Sequence, residues 1–506
     1  MTTLISNSES SVESGLLVSP EAEARLVEPV AVYRARHTLG SRFAFLTICV
    51  AIILSTLAFG TVHPWSQALF FLGGIAIIIF WLVDSWTLGS LRISRNILQL
   101  PLLGMIVLGL IQLLPFRQPG NPVNPSFPLV KSLSFDPYST RIVIVQLVTL
   151  LIFFAATLVF TDTPKRLRIL VRTITIFGFL LAIFGMTQSF TSPTKVYWVR
   201  ELSQSTAFGP FINRHHFAGY MELALAVPLG LIFSGSVEKD KWFIYLFAAG
   251  LMGIALVMTN SRGGVISLVA EIIFLVATMG LQRRRKKRRD TSKKKPRLIG
   301  AAIKAGLALG LILALFGGVV LLGGEDALSR FVGSVNTDDP TTGRAHFWSV
   351  TTEIIKTHPI IGTGLGAFSV VYTGYDSRNG RYRLEQAHND YLQVLSDGGI
   401  IGGLLGLVFV VSLFRMGFAR RESSDDFRRG VATGALAGCF AVLVHSFFDF
   451  TLHTPSNALL FLVLAALATV NGRVEEPQSR PKKRRRRRTE HIISTAKLIA
   501  TPSQTQ

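Results

Sequence analysis

The sequence GGVISLVAEIIFLVATMGL occupies residues 263–281, and RRRKKRRDTSKKKPR follows it at residues 283–297. The first stretch contains one charged residue, Glu271, and its 19 residues are long enough to cross a bilayer core about 30 Å thick as a helix. The second stretch is typical of a cytoplasmic connection, because such loops carry an excess of Lys and Arg. Together the two stretches predict a membrane helix and the side of the membrane on which it ends.

The composition of the whole chain agrees with a membrane protein. Its 506 residues are 49% hydrophobic and 16% charged, whereas soluble domains average about 25% charged residues. The net charge of +22 is concentrated in residues 282–297 and 472–506, which carry +10 and +7. Because both runs adjoin apolar segments, we interpret them as topology signals that rest on anionic lipid and not as a nucleic-acid surface.

The two cysteines, Cys49 and Cys439, both lie in apolar stretches. Their number and surroundings exclude a disulfide scaffold and a cysteine metal site.

Twelve apolar stretches predict an all-α, polytopic membrane protein. They cover residues 41–60, 66–83, 97–114, 141–160, 169–190, 215–234, 242–259, 263–281, 298–322, 391–414, 430–449 and 455–471. The stretches are continuously apolar and lack the alternation of an outer-membrane barrel, so helices are the expected spanning form.

The strongly basic connections all fall on one side of an alternating twelve-span arrangement, which predicts that this side is cytoplasmic. Residues 1–40 are rich in Ser and Glu and are expected to form a disordered cytoplasmic arm. Residues 282–297 and 472–506 are then a basic cytoplasmic loop and tail. Residues 323–387 form one large extracytoplasmic loop before the tenth span, and its six basic and seven acidic residues predict a folded loop, not a topology signal.

Two segments of this loop have a recognisable local pattern. The sequence TTGRAHFWSVTTEIIKTHP at 341–359 predicts an amphipathic helix that Pro359 ends, with Phe347 and Ile354 on its apolar side. The run IIGTGLGAF at 360–368 contains a GxGxG pattern, but no βαβ context surrounds it. We therefore interpret it as a tightly packed glycine turn and not as a nucleotide site.

Three carboxylates lie inside predicted spans, where a charged side chain is costly and by default indicates function. Glu222, Glu271 and Asp397 each lie seven or eight residues from the outer end of a span, which corresponds to a depth of about 10–12 Å. The hypothesis is that they form the floor of a polar cavity. The alternative is that each is protonated or hydrogen-bonded between helices.

His445, Asp449 and His453 recur every four residues, a spacing that presents metal ligands on one face of a helix. Thr454 and Pro455 are expected to break the helix at this point. Helix capping and polar packing are therefore the favoured interpretation, and no metal is expected.

Several motifs together resemble the O-antigen ligase and O-antigen polymerase family of bacterial membrane glycosyltransferases of the GT-C class. They are SRGG at 261–264, Arg344 followed by Trp348, HPIIGTGLGAF at 358–368 and AHNDYLQVLSDGGIIG at 387–402. The resemblance runs from about residue 208 to residue 455 and includes NRHHFAGY at 213–220 and HSFFDF at 445–450.

This resemblance implies transfer of a glycan from an undecaprenyl-diphosphate carrier to an acceptor hydroxyl, on lipid A–core or on another lipid-linked repeat. The reaction is expected on the outer side of the bacterial cytoplasmic membrane, without a cofactor. The residues that match the important positions of the family are Arg262, Arg344 and His388. Asp397 stands where the family often has Glu, and it is included among the candidate catalytic residues.

The chemistry of these residues suits that reaction. Guanidinium groups pair with phosphate oxygens through two hydrogen bonds, which assigns Arg262 and Arg344 to the diphosphate. A histidine titrates near neutral pH, which makes His388 the candidate general base for a one-step, inverting displacement. The further candidate substrate-binding residues are Arg214, His215, His216, Glu222, Asn389, His445 and Asp449. The alternatives are an arginine that snorkels at a span end and a histidine with an interfacial hydrogen bond.

The alternatives to a glycosyltransferase are a secondary transporter or exporter of cell-surface glycans, and a structural assembly protein. A twelve-span secondary transporter predicts internal repeats and broken helices in matched positions, and the sequence has no such repeat. A structural assembly protein is the weaker alternative. The sequence leaves open the choice between ligase and polymerase, the sugar, the acceptor and the oligomeric state.

Overall fold

A computed structural model of the chain describes residues 37–116, 131–202, 207–289, 344–377, 384–420, 423 and 425–470. About three quarters of these residues are in helices. The helices are α1 (Leu39–Leu57), α2 (Pro64–Leu88), α3 (Gln99–Gln112), α4 (Pro137–Phe160), α5 (Pro164–Thr191), α6 (Arg214–Ser234), α7 (Trp242–Met258), α8 (Arg262–Arg289), α9 (Arg344–Thr357), α10 (Phe368–Tyr375), α11 (Asp390–Arg420), α12 (Asp426–His445) and α13 (Pro455–Thr469). Two 3₁₀ turns, Phe59–Thr61 and Thr451–His453, complete the helical elements of this part of the chain.

A small β-hairpin departs from the all-α prediction. Strands β1 (Lys195–Val196) and β2 (Arg200–Glu201) pair antiparallel, with Lys195 opposite Glu201. Each strand is only two residues long, which is below the four to eight residues from which a strand is predicted.

Seven helices of the described residues are long and apolar enough to cross a membrane: α1, α2, α4, α5, α6, α11 and α12. Three shorter apolar helices are α3, α7 and α13. A polytopic helical membrane protein is therefore confirmed. The total of twelve spans and the orientation stay predictions. The predicted span at 298–322, the predicted tail at 472–506 and residues 1–36 of the predicted arm lie outside the described residues, as does the whole of 290–343.

Two predicted boundaries differ from the structure. The sequence predicts that the basic loop begins at residue 282, but α8 continues as a helix to Arg289, so the first residues of the basic run are helical. The span predicted at 430–449 ends as a helix at His445, where Phe448 and Asp449 both donate their backbone N–H groups to the His445 carbonyl. Asp449 therefore lies in the turn after the helix and not within it, which hydropathy alone does not reveal.

Polar side chains fix where the helices begin. Asp136 accepts hydrogen bonds from two backbone N–H groups at the start of α4, and Asp425 does the same for α12. Asn213 caps α6 through the N–H of His215. These caps satisfy donors that a helix cannot pair internally. The cap at Asn213 also sets the first turn of α6, where His215 lies.

Helices α6 and α12 form the closely packed centre of the molecule. A Cβ atom built on Gly230 would lie 2.3 Å from the Cα of Gly434, and one on Gly434 would lie 2.5 Å from the carbonyl oxygen of Ala226. Small residues allow such backbone contact between membrane helices. The pair runs antiparallel, so that its register brings Glu222 of α6 to His445 of α12.

The glycine run at 362–366 is a packed turn, as predicted. Gly362, Gly364 and Gly366 all have positive φ angles, and a Cβ atom on Gly362 would lie 2.4 Å from the carbonyl carbon of Asp397. The turn lies against a break in α11 at Gly399, where the backbone has φ 60° and ψ −161°. There the N–H of Ile400 donates to Pro359 in place of a helical partner.

We expect Gly399→Ala to destabilise the protein strongly. Its backbone conformation is reserved for glycine, and a Cβ atom would lie 2.3 Å from the carbonyl oxygen of Ile360. The strain alone costs about 1–3 kcal/mol. Thermal unfolding in detergent measures the effect. Gly406→Ala in the same helix is the control, because a Cβ atom there meets nothing within 4 Å, and an unchanged midpoint for Gly399→Ala would contradict the packing described.

Candidate active site

Asp449 lies in the turn after α12 and organises a cluster of polar side chains. Its side chain is 1% exposed. His388 approaches Oδ1 with Nδ1 at 3.3 Å, and the Arg344 guanidinium donates to Oδ2 at 3.3 Å and to the carbonyl oxygen of Phe448. Thus His388, which follows the predicted large loop, and Arg344, about a third of the way along that loop, meet on one buried carboxylate.

The environment of Asp449 favours its ionised form. Burial alone would raise the pKa of this carboxyl, but the hydrogen bond from His388 and the positive charge of Arg344 contribute to an opposite effect that outweighs burial. The pKa of Asp449 is therefore held far below its usual range. An ionised Asp449 accepts a hydrogen bond from the Nδ1–H group of His388, which leaves Nε2 of that ring as the basic nitrogen.

The backbone at His388 is held in a left-handed conformation with φ 51°. The preceding residue, Ala387, is fixed on both sides, since its carbonyl accepts from Trp348 Nε1 at 3.2 Å and its N–H donates to Gln393 at 2.7 Å. Strained conformations of this kind persist where the surroundings enforce them and are common at functional sites. The ring of His388 stacks on Phe347, with 6.3 Å between centroids.

The SRGG turn packs against the same cluster. A Cβ atom on Gly263 would lie 2.7 Å from Cδ2 of His445, so this position admits no larger residue without movement. Ser261 Oγ lies 2.8 Å from Nδ1 of His215 and 3.5 Å from Nε2 of His445. Arg262, the first residue of α8, therefore begins its helix beside the cluster.

A second chain of hydrogen bonds extends from His445 towards the interior of the helix bundle. His445 Nδ1 lies 2.7 Å from Glu222 Oε1, and both side chains are fully or almost fully buried. Two predicted substrate-binding residues thus pair with each other. Among the described residues, Ser261 connects this pair to His215, because its hydroxyl contacts both His445 and His215.

Other predicted substrate-binding residues have structural partners. His216 is buried and bonds Thr454 at 2.9 Å, and Asn389 caps α11 while donating to the Phe447 carbonyl at 3.2 Å. Arg214 is the first residue of α6, directly before His215. Asp390, which was not predicted, accepts from Ser446 and pairs with His453.

The three carboxylates expected to share a cavity floor have different surroundings. Asp397 accepts hydrogen bonds from Gly366 N–H at 3.0 Å and Gln393 Nε2 at 3.2 Å, so it holds the glycine turn against α11. Glu222 pairs with His445. Glu271 is fully buried, and neither of its oxygens has a hydrogen-bond partner among the described residues. The common grouping is therefore wrong for Asp397, whose carboxylate contacts the glycine turn.

The three residues with four-residue spacing do not share one helix face, because α12 ends at His445 and Asp449 and His453 lie beyond it. His445 pairs with Glu222, Asp449 with His388 and Arg344, and His453 with Asp390. The three residues with this four-residue spacing thus have different partners and do not form one group.

We expect His453 to make stability depend on pH. Burial opposes its protonation, but the hydrogen bond to Asp390 at 2.7 Å and the charge of that carboxylate outweigh burial and raise the pKa of His453. The contribution of the pair to stability is therefore complete at pH values below about 6.5, the pKa of histidine in the unfolded chain. It is lost as the pH rises through the higher pKa of His453 in the folded protein. The midpoint difference between wild type and His453→Gln should shrink from about pH 5 to about pH 9, and growth over that range would contradict the assignment.

Sequence reasoning missed two contributions to the cluster. The sequence predicts Asp449 only as a substrate-binding residue, although it is the partner of His388. It predicts a role for Arg262 but none for the neighbouring Ser261. The available signal was an acidic residue within an aromatic turn, in HSFFDF. Its partner lies 61 residues earlier in the chain, a separation that no local pattern predicts.

The fold and the cluster define a helical membrane protein in which a partly exposed histidine and an arginine contact one buried aspartate. Residues 247–407 match the family model described as O-antigen ligase. The match runs from α7 into α11 and contains Arg262, Arg344 and His388, and it confirms the family resemblance. A comparison with curated proteins finds no match. His215 and Asp449 lie outside the matched segment, but they contact residues within it, namely Ser261, His388 and Arg344.

Proposed function

We propose that this protein transfers a glycan from an undecaprenyl-diphosphate carrier to an acceptor hydroxyl, as an O-antigen ligase or a related polymerase, on the outer side of the bacterial cytoplasmic membrane. The observation that carries the proposal is the contact of His388 and Arg344 with one buried carboxylate, in a chain whose residues 247–407 match O-antigen ligase. The acceptor is lipid A–core or another lipid-linked glycan.

In this proposal His388 is the general base. Its Nδ1–H is donated to Asp449, and Nε2 takes the proton of the acceptor hydroxyl. The hydroxyl oxygen forms a bond to the anomeric carbon while the bond from that carbon to the diphosphate oxygen breaks, and its electron pair leaves with the diphosphate. Because attack and departure occur on opposite faces in one step, the configuration at the anomeric carbon inverts.

Arg344 and Arg262 are proposed to bind the diphosphate. Arg344 is partly exposed and uses two guanidinium donors on Asp449 and the Phe448 carbonyl, which orients the group and leaves further N–H donors for phosphate oxygens. Arg262 begins α8 next to Ser261. Charge-assisted donors of this kind stabilise the negative charge that builds up on the leaving diphosphate.

We expect Arg344→Lys and Arg262→Lys to lower the transfer rate by about 10²–10³-fold, although the positive charge is retained. A lysine ammonium cannot reproduce the two parallel hydrogen bonds of a guanidinium. Transfer by purified protein in detergent or vesicles measures the loss. Arg429→Lys is the control, since Arg429 pairs with Asp426 at the other end of α12, and near-normal transfer by both site variants would contradict the assignment.

We expect transfer to continue in the presence of a chelator, because two arginines offset the diphosphate charge that a divalent cation would otherwise neutralise. The measurement compares initial rates with and without EDTA. Loss of activity in EDTA that one added metal restores would overturn this prediction.

The function itself is tested by deleting the gene and separating the surface glycans by gel electrophoresis. Loss of long chains from lipid A, with carrier-linked polymer accumulating, would support a ligase. Products limited to a single repeat would support a polymerase. An unchanged pattern of surface glycans and of carrier-linked intermediates would contradict the proposal.

A further inference from the structure

Ser261 joins the buried pair Glu222–His445 to a histidine of the site. Its hydroxyl lies 3.5 Å from His445 Nε2 and 2.8 Å from His215 Nδ1. The side chains of Glu222 and His445 are 0% and 1% exposed, whereas that of His215 is 22% exposed. A fully enclosed acid–base pair is thus connected, through one hydroxyl, to an imidazole with access to the site.

The hydroxyl of Ser261 allows only two arrangements of protons. A serine hydroxyl carries one proton and two lone pairs. The backbone N–H of Gly264 donates to it at 3.2 Å and occupies one lone pair. One lone pair and one proton therefore remain for the two imidazoles, so one of these rings donates to Ser261 and the other accepts from it.

The charge of the buried pair decides between the two arrangements. The pair is neutral overall when it carries two protons. One proton lies in the hydrogen bond between Glu222 Oε1 and His445 Nδ1, on either atom, and the other is on His445 Nε2. The alternative, with Nε2 bare, leaves a net negative charge in a fully buried position, which is strongly unfavourable. The other ionisable groups that act on the pair include Asp390, Asp449, Glu271, His215 and His216. The carboxylates of Asp390 and Asp449 add to the cost of a further negative charge.

The neutral pair sets the tautomer of His215. His445 Nε2–H then donates to Ser261, and the Ser261 proton is directed to Nδ1 of His215, which must accept it. The ring nitrogen Nδ1 also lies 3.8 Å from Asp449 Oδ2, but the 2.8 Å contact with Ser261 is the hydrogen bond. The proton of a neutral His215 is therefore on Nε2, which makes no hydrogen bond within the part of the chain that the structure describes.

We propose that His215 is a neutral hydrogen-bond donor to an oxygen of the lipid-linked diphosphate, with Ser261, His445 and Glu222 as positioning residues that hold its Nε2–H tautomer. The assignment of the ligand rests on the proposed function, whereas the tautomer rests on the hydrogen-bond geometry and on the neutrality of the buried Glu222–His445 pair. His215 and His388 then have opposite roles, because the first presents an N–H group and the second a basic nitrogen.

The tautomer is measured directly by ¹⁵N NMR of the full-length protein labelled at histidine, with the His215 signal identified by its loss in His215→Gln. We expect Nε2 to be protonated in the wild type, and Ser261→Ala to move the proton towards Nδ1, where Asp449 accepts it. Ser267→Ala is the matched control, since this buried serine of α8 donates only to the Gly263 carbonyl. A wild-type proton on Nδ1, or no change in Ser261→Ala, would overturn the proposal.

The role in binding is tested with undecaprenyl diphosphate in detergent micelles and with the transfer assay. His215→Gln retains an N–H group near the position of Nε2 and should keep the donor affinity close to that of the wild type. His215→Phe should weaken it by about 10–100-fold, mainly in KM and not in kcat, as expected for a hydrogen bond to a charged group. Equal loss of kcat in both variants would identify His215 as a base and overturn the proposal. Absence of transfer by the wild type would defeat the proposed function but leave the NMR result standing.

Discussion

Asp449→Asn is expected to lower the rate of glycan transfer by about 10⁴-fold, the effect of an orienting carboxylate in Asp–His pairs. The Asn amide donates to Nδ1 of His388 instead of accepting from it, so the ring proton moves to Nε2 and the base is lost. Transfer by purified protein, at saturating donor and acceptor, measures the effect. Because the pKa of Asp449 lies far below its usual range, acidification to about pH 5 should not reproduce the variant by protonating this carboxyl.

The matched control for Asp449→Asn is Asp376→Asn. Asp376 also pairs with a histidine, His346, at 2.9 Å, and the described contacts of this pair do not include Asp449. We expect Asp376→Asn to transfer at nearly the wild-type rate. A similar loss in both variants would indicate a general effect on folding, and near-normal transfer by Asp449→Asn would remove this carboxylate from the mechanism.

His388→Ala is expected to lose about 10²–10⁴-fold in transfer rate while it retains affinity for the lipid-linked donor. The reason is that His388 acts on the acceptor proton, whereas the diphosphate is held by the arginines. Binding of undecaprenyl diphosphate and turnover are measured separately on the same preparation. His346→Ala is the control, and it also removes a histidine from a His–Asp pair.

Asp397→Asn separates the proposed base from the other catalytic candidate. Its carboxylate holds the glycine turn through Gly366 and Gln393, so we expect lower thermal stability with smaller loss of transfer than in His388→Ala. Near-normal turnover by His388→Ala, together with an inactive but folded Asp397→Asn, would show that the base has been misassigned.

The helical, polytopic character of the chain could be predicted because apolar runs of the right length are a property of continuous sequence. Hydropathy does not specify where a helix closes, and it placed the end of α12 at residue 449 instead of His445. It also gave no indication that α11 breaks at Gly399, since this break depends on contact with Pro359 and Ile360 from a preceding loop.

The sequence predicts several residues of the candidate site, but it does not predict which side chains contact each other. Arg344 and His388 were identified from motifs, and the structure places both on Asp449. The pairing of Glu222 with His445 depends on the register of α6 and α12, which the contact of Gly230 with Gly434 sets. Equal distance from a span end suggested that Asp397 belonged with Glu222, but depth along a helix says nothing about the direction in which a side chain points.

The central claim is that His388 and Asp449 act as one unit in glycan transfer. The double variant His388→Ala/Asp449→Asn tests this claim most directly, because residues that act together give losses that are far from additive. We measure the transfer rate of the wild type, both single variants and the double variant at saturating donor. The prediction is that the double variant is no slower than the slower single variant. If instead the two losses multiply, Asp449 does not act through His388, and the proposed mechanism is wrong.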